Sequence, residues 1–143
     1  KKMPEKFVEE RGCLVDSYVD GHKYVFGKKA LIYGEEDFAS ALADWLREIG
    51  VEPLWIKGAD FETLKEKAVD FKPDFVMGNS KGYYIARERK IPLIRIGFPI
   101  HDRFGASRIN QIGYRGTQQL FDMVVNALIE YKQENSPIGY KYI

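Results

Sequence analysis

Two short stretches hold most of the side chains able to do chemistry. The first is Gly78-Asn79-Ser80-Lys81-Gly82. Glycines, an amide, a hydroxyl and a lysine at a helix start are groups that hold an anion, because free N–H groups there point outward. Asn79 and Ser80 serve equally as ordinary helix caps. The stretch is not a Walker loop, since G-x-x-x-x-G-K-[ST] is absent, and no G-x-G-x-x-G follows the first apolar strand. The second is the loop after Ile91–Ile96, with His101, Asp102, Arg103 and Arg108. A carboxylate can set a histidine's tautomer for acid–base work, although adjacent loop residues seldom bond that way. Arg95, Arg103, Arg108 and Arg115 can grip a carboxylate or phosphate bidentately, or pair with acidic neighbours or a partner subunit. No serine or cysteine sits in a recognisable nucleophile setting.

A third candidate lies near the start of the chain. Asp16 and Asp20 are spaced i,i+4, so their carboxylates share one helix face. Two carboxylates hold a hard cation only weakly, and further oxygen ligands would have to come from elsewhere; a solvated helix face is the plainer reading. His22 follows as a structural residue. Cys13, the single cysteine, leaves no internal disulfide, and an iron–sulfur cluster wants several thiolates.

The elements that must position these residues follow from hydrophobic spacing. Pro4 to Gly21 has a helical period, with Phe7, Val8, Cys13, Leu14, Val15, Tyr18 and Val19 as its apolar set and Gly21 as its stop. Lys29–Tyr33 is a buried strand ended by Gly34. Asp37 caps the next helix, whose stripe is Phe38, Leu42, Trp45, Leu46 and Ile49, and Gly50 ends it. Strands follow at 51–56, 75–77 and 93–96. Asp60 caps one further helix, and another runs from Asn79 or Ser80 to about Arg89. The last helix opens at Gly113 and has its amphipathic run from Thr117 to about Gln133.

Strand–helix alternation four times over means parallel pairing with crossover helices. The fold class is therefore α/β: a Rossmann-like, doubly wound, four-stranded parallel sheet with helices on both faces. The division expected is an N-terminal helix (1–22), the α/β domain (23–133) and an extended tail (134–143). Function gathers at the carboxyl ends of such strands, at the loops 34–37, 57–60, 78–82 and 97–113.

Composition narrows the classes. The 143 residues suffice for one core, and the 45% apolar and 30% charged fractions are those of a globular domain. A net charge of +1 gives a nucleic-acid partner no support. No apolar run approaches the roughly 20 residues of a membrane span, and no export signal opens the chain. A cytoplasmic chain is expected. The opening Lys1-Lys2-Met3-Pro4 suggests a piece of something longer.

The ordered motifs then resemble a known family. They are Glu10-Arg11-Gly12-x-Leu14-x-Asp16, Asp20-x-His22, Gly27-Lys28, Gly34-x-x-Asp37-Phe38, Lys72-Pro73-Asp74-Phe75, Gly78-Asn79-Ser80-x-Gly82, the run Ile91–Ile100 with Asp102-Arg103, and Gly113-Tyr114-x-Gly116. Together they resemble the C-terminal third of β-type subunits in the nitrogenase component 1 family. These are the β subunit of the molybdenum–iron protein and its cofactor-assembly counterpart. The segments YVFGK and YGEED and the tail SPIGYKYI are more similar to the assembly scaffold.

The resemblance implies the last of three Rossmann-like domains in an α2β2 complex. The partners would be an α-type subunit, a second β-type subunit and an iron-protein reductase. It implies that the iron–sulfur cluster and the iron–molybdenum cofactor, or its precursor, reside elsewhere in the parent, with no cofactor and no turnover on this stretch alone. Asp16 and Asp20 would be half of a cation site completed by the second β-type copy. The function implied is nitrogen fixation, first as a cofactor-assembly scaffold and alternatively as the catalytic β subunit. Independently of the resemblance, the residues also suit an anion-binding module built on loops 78–82 and 97–113. Two departures stand out. Cys13 takes a place commonly held by arginine, and only Lys57 to Ala59 link the second strand to the Asp60-capped helix, where the family usually has a longer stretch; either this member is shortened there, or a segment between Ile56 and Asp60 is missing from the sequence.

Overall fold

The structure is a computed structural model and describes residues 1–138. Four parallel strands form one sheet in the order β2-β1-β3-β4: β1 (Lys29–Tyr33), β2 (Glu52–Leu54), β3 (Phe75–Gly78) and β4 (Leu93–Arg95). Alternation along the two central strands divides the core. Ala30, Ile32, Phe75 and Met77 face one side, and Leu31 and Val76 face the other, all fully buried.

The helices cover both faces. α1 (Glu5–Val25), α2 (Glu36–Glu48) and α5 (Gly113–Asn135) form the larger layer, where Leu42, Leu46, Phe121 and Val124 pack on the sheet. α3 (Phe61–Phe71) and α4 (Tyr83–Arg89) cover the other side through Leu64, Ala68, Ile85 and Ala86. The doubly wound fold expected from the sequence is the fold observed. No helix among the described residues is long and apolar enough to cross a membrane.

Several boundaries differ from expectation, each for a local reason. α1 runs through Gly21 and His22 to Val25, past the boundary expected at residue 22. Gly21 is a contact, not a stop: a Cβ there would lie 2.5 Å from Cε1 of Phe121 on α5. The chain leaves the helix at Gly27, which has φ +76° and donates its N–H to the Gly50 carbonyl at 2.9 Å. Of α1's expected apolar set, Leu14 is buried and Tyr18 half-buried. Phe7, Val8, Val15 and Val19 are exposed, because no other described element covers that face.

α2 begins at Glu36 with no side-chain cap, so Asp37 lies inside its first turn and serves the helix dipole instead. Asp60 does cap α3, accepting the Thr63 N–H at 2.8 Å. β2 is shorter than 51–56 because the chain turns away after Leu54 pairs with Leu31. β4 ends at Arg95, although the Ile96 N–H still bonds the Gly78 carbonyl at 2.9 Å. α5 begins at Gly113 and continues to Asn135, so residues 134 and 135, expected to open an extended tail, are helical; residues 139–143 of that expected tail lie outside the described part.

The α1–α5 contact predicts the effect of one substitution. Gly21→Ala improves helix propensity but drives a methyl into the 2%-exposed Phe121 ring. The net change expected is a loss of about 1–3 kcal/mol, read from urea unfolding. A stabilised variant would mean that α1 and α5 are not packed as described.

Candidate functional site

The strand order places the switch point between β1 and β3, so the loops 34–37 and 78–82 flank it. The two strands approach closely there. A Cβ on Gly78 would collide with the Tyr33 carbonyl, so the position has room only for glycine. A cleft of about 630 Å³ opens above this point. Tyr33, Trp55 and Phe61 line it, with Lys81, Asn79 and Phe98 at its other side.

Beside the cleft, the two chemistry-bearing stretches meet. Asp102 faces Arg95, whose Nε donates to both carboxylate oxygens at 2.9 and 3.0 Å while Nη2 donates to Oδ2 at 2.7 Å. The Ser80 hydroxyl donates to Asp102 Oδ1 at 2.6 Å and accepts the His101 backbone N–H at 3.0 Å. Ser80 is buried, and the side chains of Arg95 and Asp102 are 12% and 29% exposed. The Arg95 hydrogen bonds, seconded by Ser80's, hold the Asp102 carboxyl well below the usual carboxylate range.

Further bonds fix the loop to its neighbour. The Ser80 N–H donates to the Pro99 carbonyl at 3.2 Å and the Asn79 side-chain amide donates to the Phe98 carbonyl at 3.3 Å. Asn79 Oδ1 accepts the Lys81 N–H at 3.1 Å, which is cap chemistry. The Gly97 N–H donates to Gln111 Oε1 at 3.1 Å.

This geometry bears on each residue singled out in the sequence. Asn79, Ser80, Asp102 and the His101 backbone come together, but as a brace. The Asp102 carboxylate occupies the donors that would otherwise receive an external anion. His101 has an exposed ring, and Asp102 already takes its hydrogen bonds from Arg95 and Ser80, so the two do not form an acid–base pair. Arg103 donates to the Asp102 carbonyl at 2.6 Å and is otherwise exposed, and Arg108 lies 5.2 Å from the centre of the Phe104 ring. Lys81 is exposed at the cleft.

Asp16 and Asp20 are exposed on α1, and no group of three or more His, Cys, Asp or Glu side chains suited to a metal stands among the described residues. The pair alone does not make a cation site. Cys13 is exposed, and one thiolate does not hold an iron–sulfur cluster. His22 lies inside α1, its ring 5.0 Å from that of Phe26.

Sequence reasoning missed two features. Gln111 closes the base of the loop, and nothing in its spacing signals that. The outward loop residues Phe98, Phe104 and Ile112 are 72%, 98% and 83% exposed. Their signal was present, as apolar residues amid a polar loop with no strand or helix to bury them. A second uncovered apolar region, a groove of about 790 Å³, lies between α1 and the start of α5.

The brace has a testable pH dependence. The folded pKa of Asp102 lies below the unfolded value of about 3.9, so its contribution is complete above that value and fades as pH falls through the folded pKa. Asp102→Asn is expected to lose about 1–3 kcal/mol of stability at pH 7, by leaving Arg95 without its counter-charge. The gap between variant and wild type should close in acid unfolding below about pH 3. A gap independent of pH would mean that the charge is not what holds the loop.

Comparison with known proteins places this geometry in a family. The family model for nitrogenase component 1 type oxidoreductases matches residues 1–57 and 54–129. The nitrogenase molybdenum-iron protein beta chain of Rippkaea orientalis is 34% identical over 168 residues, covering 97% of this chain and 33% of that one. The corresponding chain of Azotobacter vinelandii is 33% identical over 170 residues, with 94% and 32% covered. The chain thus spans about a third of the length of these relatives. Both alignments are longer than the 143 residues available, and the family match breaks at 54–57, so the relatives carry a stretch between β2 and α3 that is absent here. Among solved structures, a chain of nitrogenase Cp1 at pH 6.5 superposes with a TM-score of 0.92 at 26% identity, covering 100% of this chain and 38% of that one. One of nitrogenase Cp1 at pH 5 reaches 0.60 at 14% identity, covering 92% and 37%, a likeness of fold alone. On these matches, the chain belongs to the nitrogenase component 1 type oxidoreductase family, similar to its β chains.

Proposed function

We propose that this chain is one domain of a β-type subunit in a nitrogenase-like complex, serving nitrogen fixation through subunit contacts and not through chemistry of its own. The observation that carries this reading is the Asp102 brace. The polar groups best suited to a ligand are spent on holding a loop, while Phe98, Phe104 and Ile112 face outward. A self-sufficient anion-binding module would keep its donors free and its apolar residues covered. The exposed apolar residues of α1 point the same way.

The complex proposed is α2β2, with an α-type subunit, a second β-type copy and an iron-protein reductase. Its iron–sulfur cluster and its iron–molybdenum cofactor or precursor belong to parts outside this stretch. Asp16 and Asp20 are proposed as half of an intersubunit cation site, with the second β-type copy supplying what two exposed carboxylates lack. The names of the relatives support the catalytic molybdenum–iron β subunit. The segments YVFGK and YGEED, more similar to the assembly scaffold, support the cofactor-assembly reading.

The experiment is to copurify the longer parent with its α-type partner and to measure mass, visible absorbance and iron. A brown complex of α2β2 size is expected. ATP-dependent acetylene reduction by that complex assigns the catalyst, and iron without such activity assigns the scaffold. A colourless parent with no partner would overturn the proposal.

A further inference from the structure

The donors that hold Asp102 belong to the sheet, and the acceptor belongs to the loop. Arg95 is the last residue of β4, in register with Gly78 of β3, and Ser80 stands two residues beyond Gly78. Two adjacent parallel strands thus bring a guanidinium and a hydroxyl to one point before the loop begins. Both are enclosed, Ser80 at 4% and the Arg95 side chain at 12% exposure. Among the described residues, the salt-bridge partner of Arg95 is Asp102 alone.

The arrangement is that of a carboxylate site. Each oxygen has two donors within 3.0 Å. Oδ1 receives Arg95 Nε and the Ser80 hydroxyl, and Oδ2 receives Arg95 Nε and Nη2. Arg103 Nη1 adds a cation 3.8 Å from Oδ2. A fork of guanidinium donors matches two oxygens in one plane, which is carboxylate geometry. A tetrahedral oxyanion fits less well. It carries further oxygens, while the neighbouring Asn79 amide and His101 N–H are committed to Phe98 and Ser80.

An enclosed guanidinium without an anion is costly, so the pocket is stable only when filled. The loop fills it from within. Residues 96–101 alone separate Arg95 from Asp102, and so short a tether keeps the carboxylate at a high effective concentration, ahead of free anions. We propose that Arg95 and Ser80 form a carboxylate-binding site carried by the ends of β3 and β4, that Asp102 blocks it as a tethered ligand, and that withdrawing Asp102 opens it to small free carboxylates. The contacts lie within this chain, so the inference stands apart from the multi-subunit reading above.

The test follows the melting temperature of the parent subunit as sodium formate is added, against sodium chloride at equal ionic strength. Wild type is compared with Asp102→Ala and with Arg95→Ala/Asp102→Ala. Formate is expected to raise the melting temperature of Asp102→Ala by about 1–3 °C more than chloride does. The rise should saturate, with a dissociation constant no tighter than about 1 mM, the ceiling for three non-hydrogen atoms. Wild type, whose site is filled, and the double variant, whose site is gone, should respond to formate and chloride alike.

Equal responses of Asp102→Ala to formate and chloride overturn the inference. A formate response of the same size in wild type overturns it as a general salt effect, and one retained in the double variant overturns it as binding elsewhere. Phosphate that stabilises Asp102→Ala as well as formate does overturns the carboxylate assignment. Where Asp102→Ala is recovered only unfolded, refolding that succeeds in formate and fails in chloride supports the site, and failure in both overturns it.

Discussion

The geometry of the functional edge depends on one carboxylate. Asp102 sits seven residues beyond Arg95, yet the chain returns to place its carboxylate across the guanidinium with three contacts of 3.0 Å or less. The third partner, Ser80, belongs to a different loop at the end of β3. A single acidic side chain thus joins the loops of two neighbouring parallel strands. A parallel sheet provides no hydrogen bonding between such loops, since its ladder ends with the strands. Without the ion pair, the long segment from Gly97 to Ile112 would be anchored mainly by the Asn79, Ser80 and Gln111 contacts to its backbone.

This explains why polar residues that look like a ligand site form none. A hydroxyl, a guanidinium and the start of a helical turn converge as they would around a phosphate, and the protein supplies its own anion. Charge-assisted hydrogen bonds are the strong ones, and a bidentate pair fixes orientation as well as distance. The loop gains a defined shape, and its apolar side chains are held outward.

Much of this was legible in the sequence. The four apolar strands, Asp60 as a cap and the inner stripe of α5 follow from period and position, because each is a local property. Gly21 was misread for a physical reason. A glycine after a helical run signals either a stop or a close approach, and only the position of Phe121, a hundred residues away, decides between them. The exposed residues of α1 share that problem. Helical spacing tells which residues share a face but not whether anything lies against it. At the site, Arg95 was visible as a cation and Asp102 as an anion, and their pairing was not, because it depends on how the loop doubles back. The motif order carried the family assignment, which loop geometry alone would not have given.

The connection between β2 and α3 shows how little of the chain the fold needs at this edge. The relatives have an additional stretch there, yet the superposition with nitrogenase Cp1 at pH 6.5 covers this whole chain at a TM-score of 0.92. The short path is closed by its own local contacts. Asp60 caps α3, the Ala59 N–H turns back onto the Ile56 carbonyl at 3.2 Å, and Lys57 reaches Glu36 at 2.9 Å on the first turn of α2. The ion pair between exposed side chains adds little stability, so the cap and the turn set the path. β2 needs only three residues of ladder with β1 to hold its register. The length of this loop is therefore free to vary without disturbing β1 and β3, and a change of length there alters the rim of the switch-point cleft, which Trp55, Ile56 and Ala59 line.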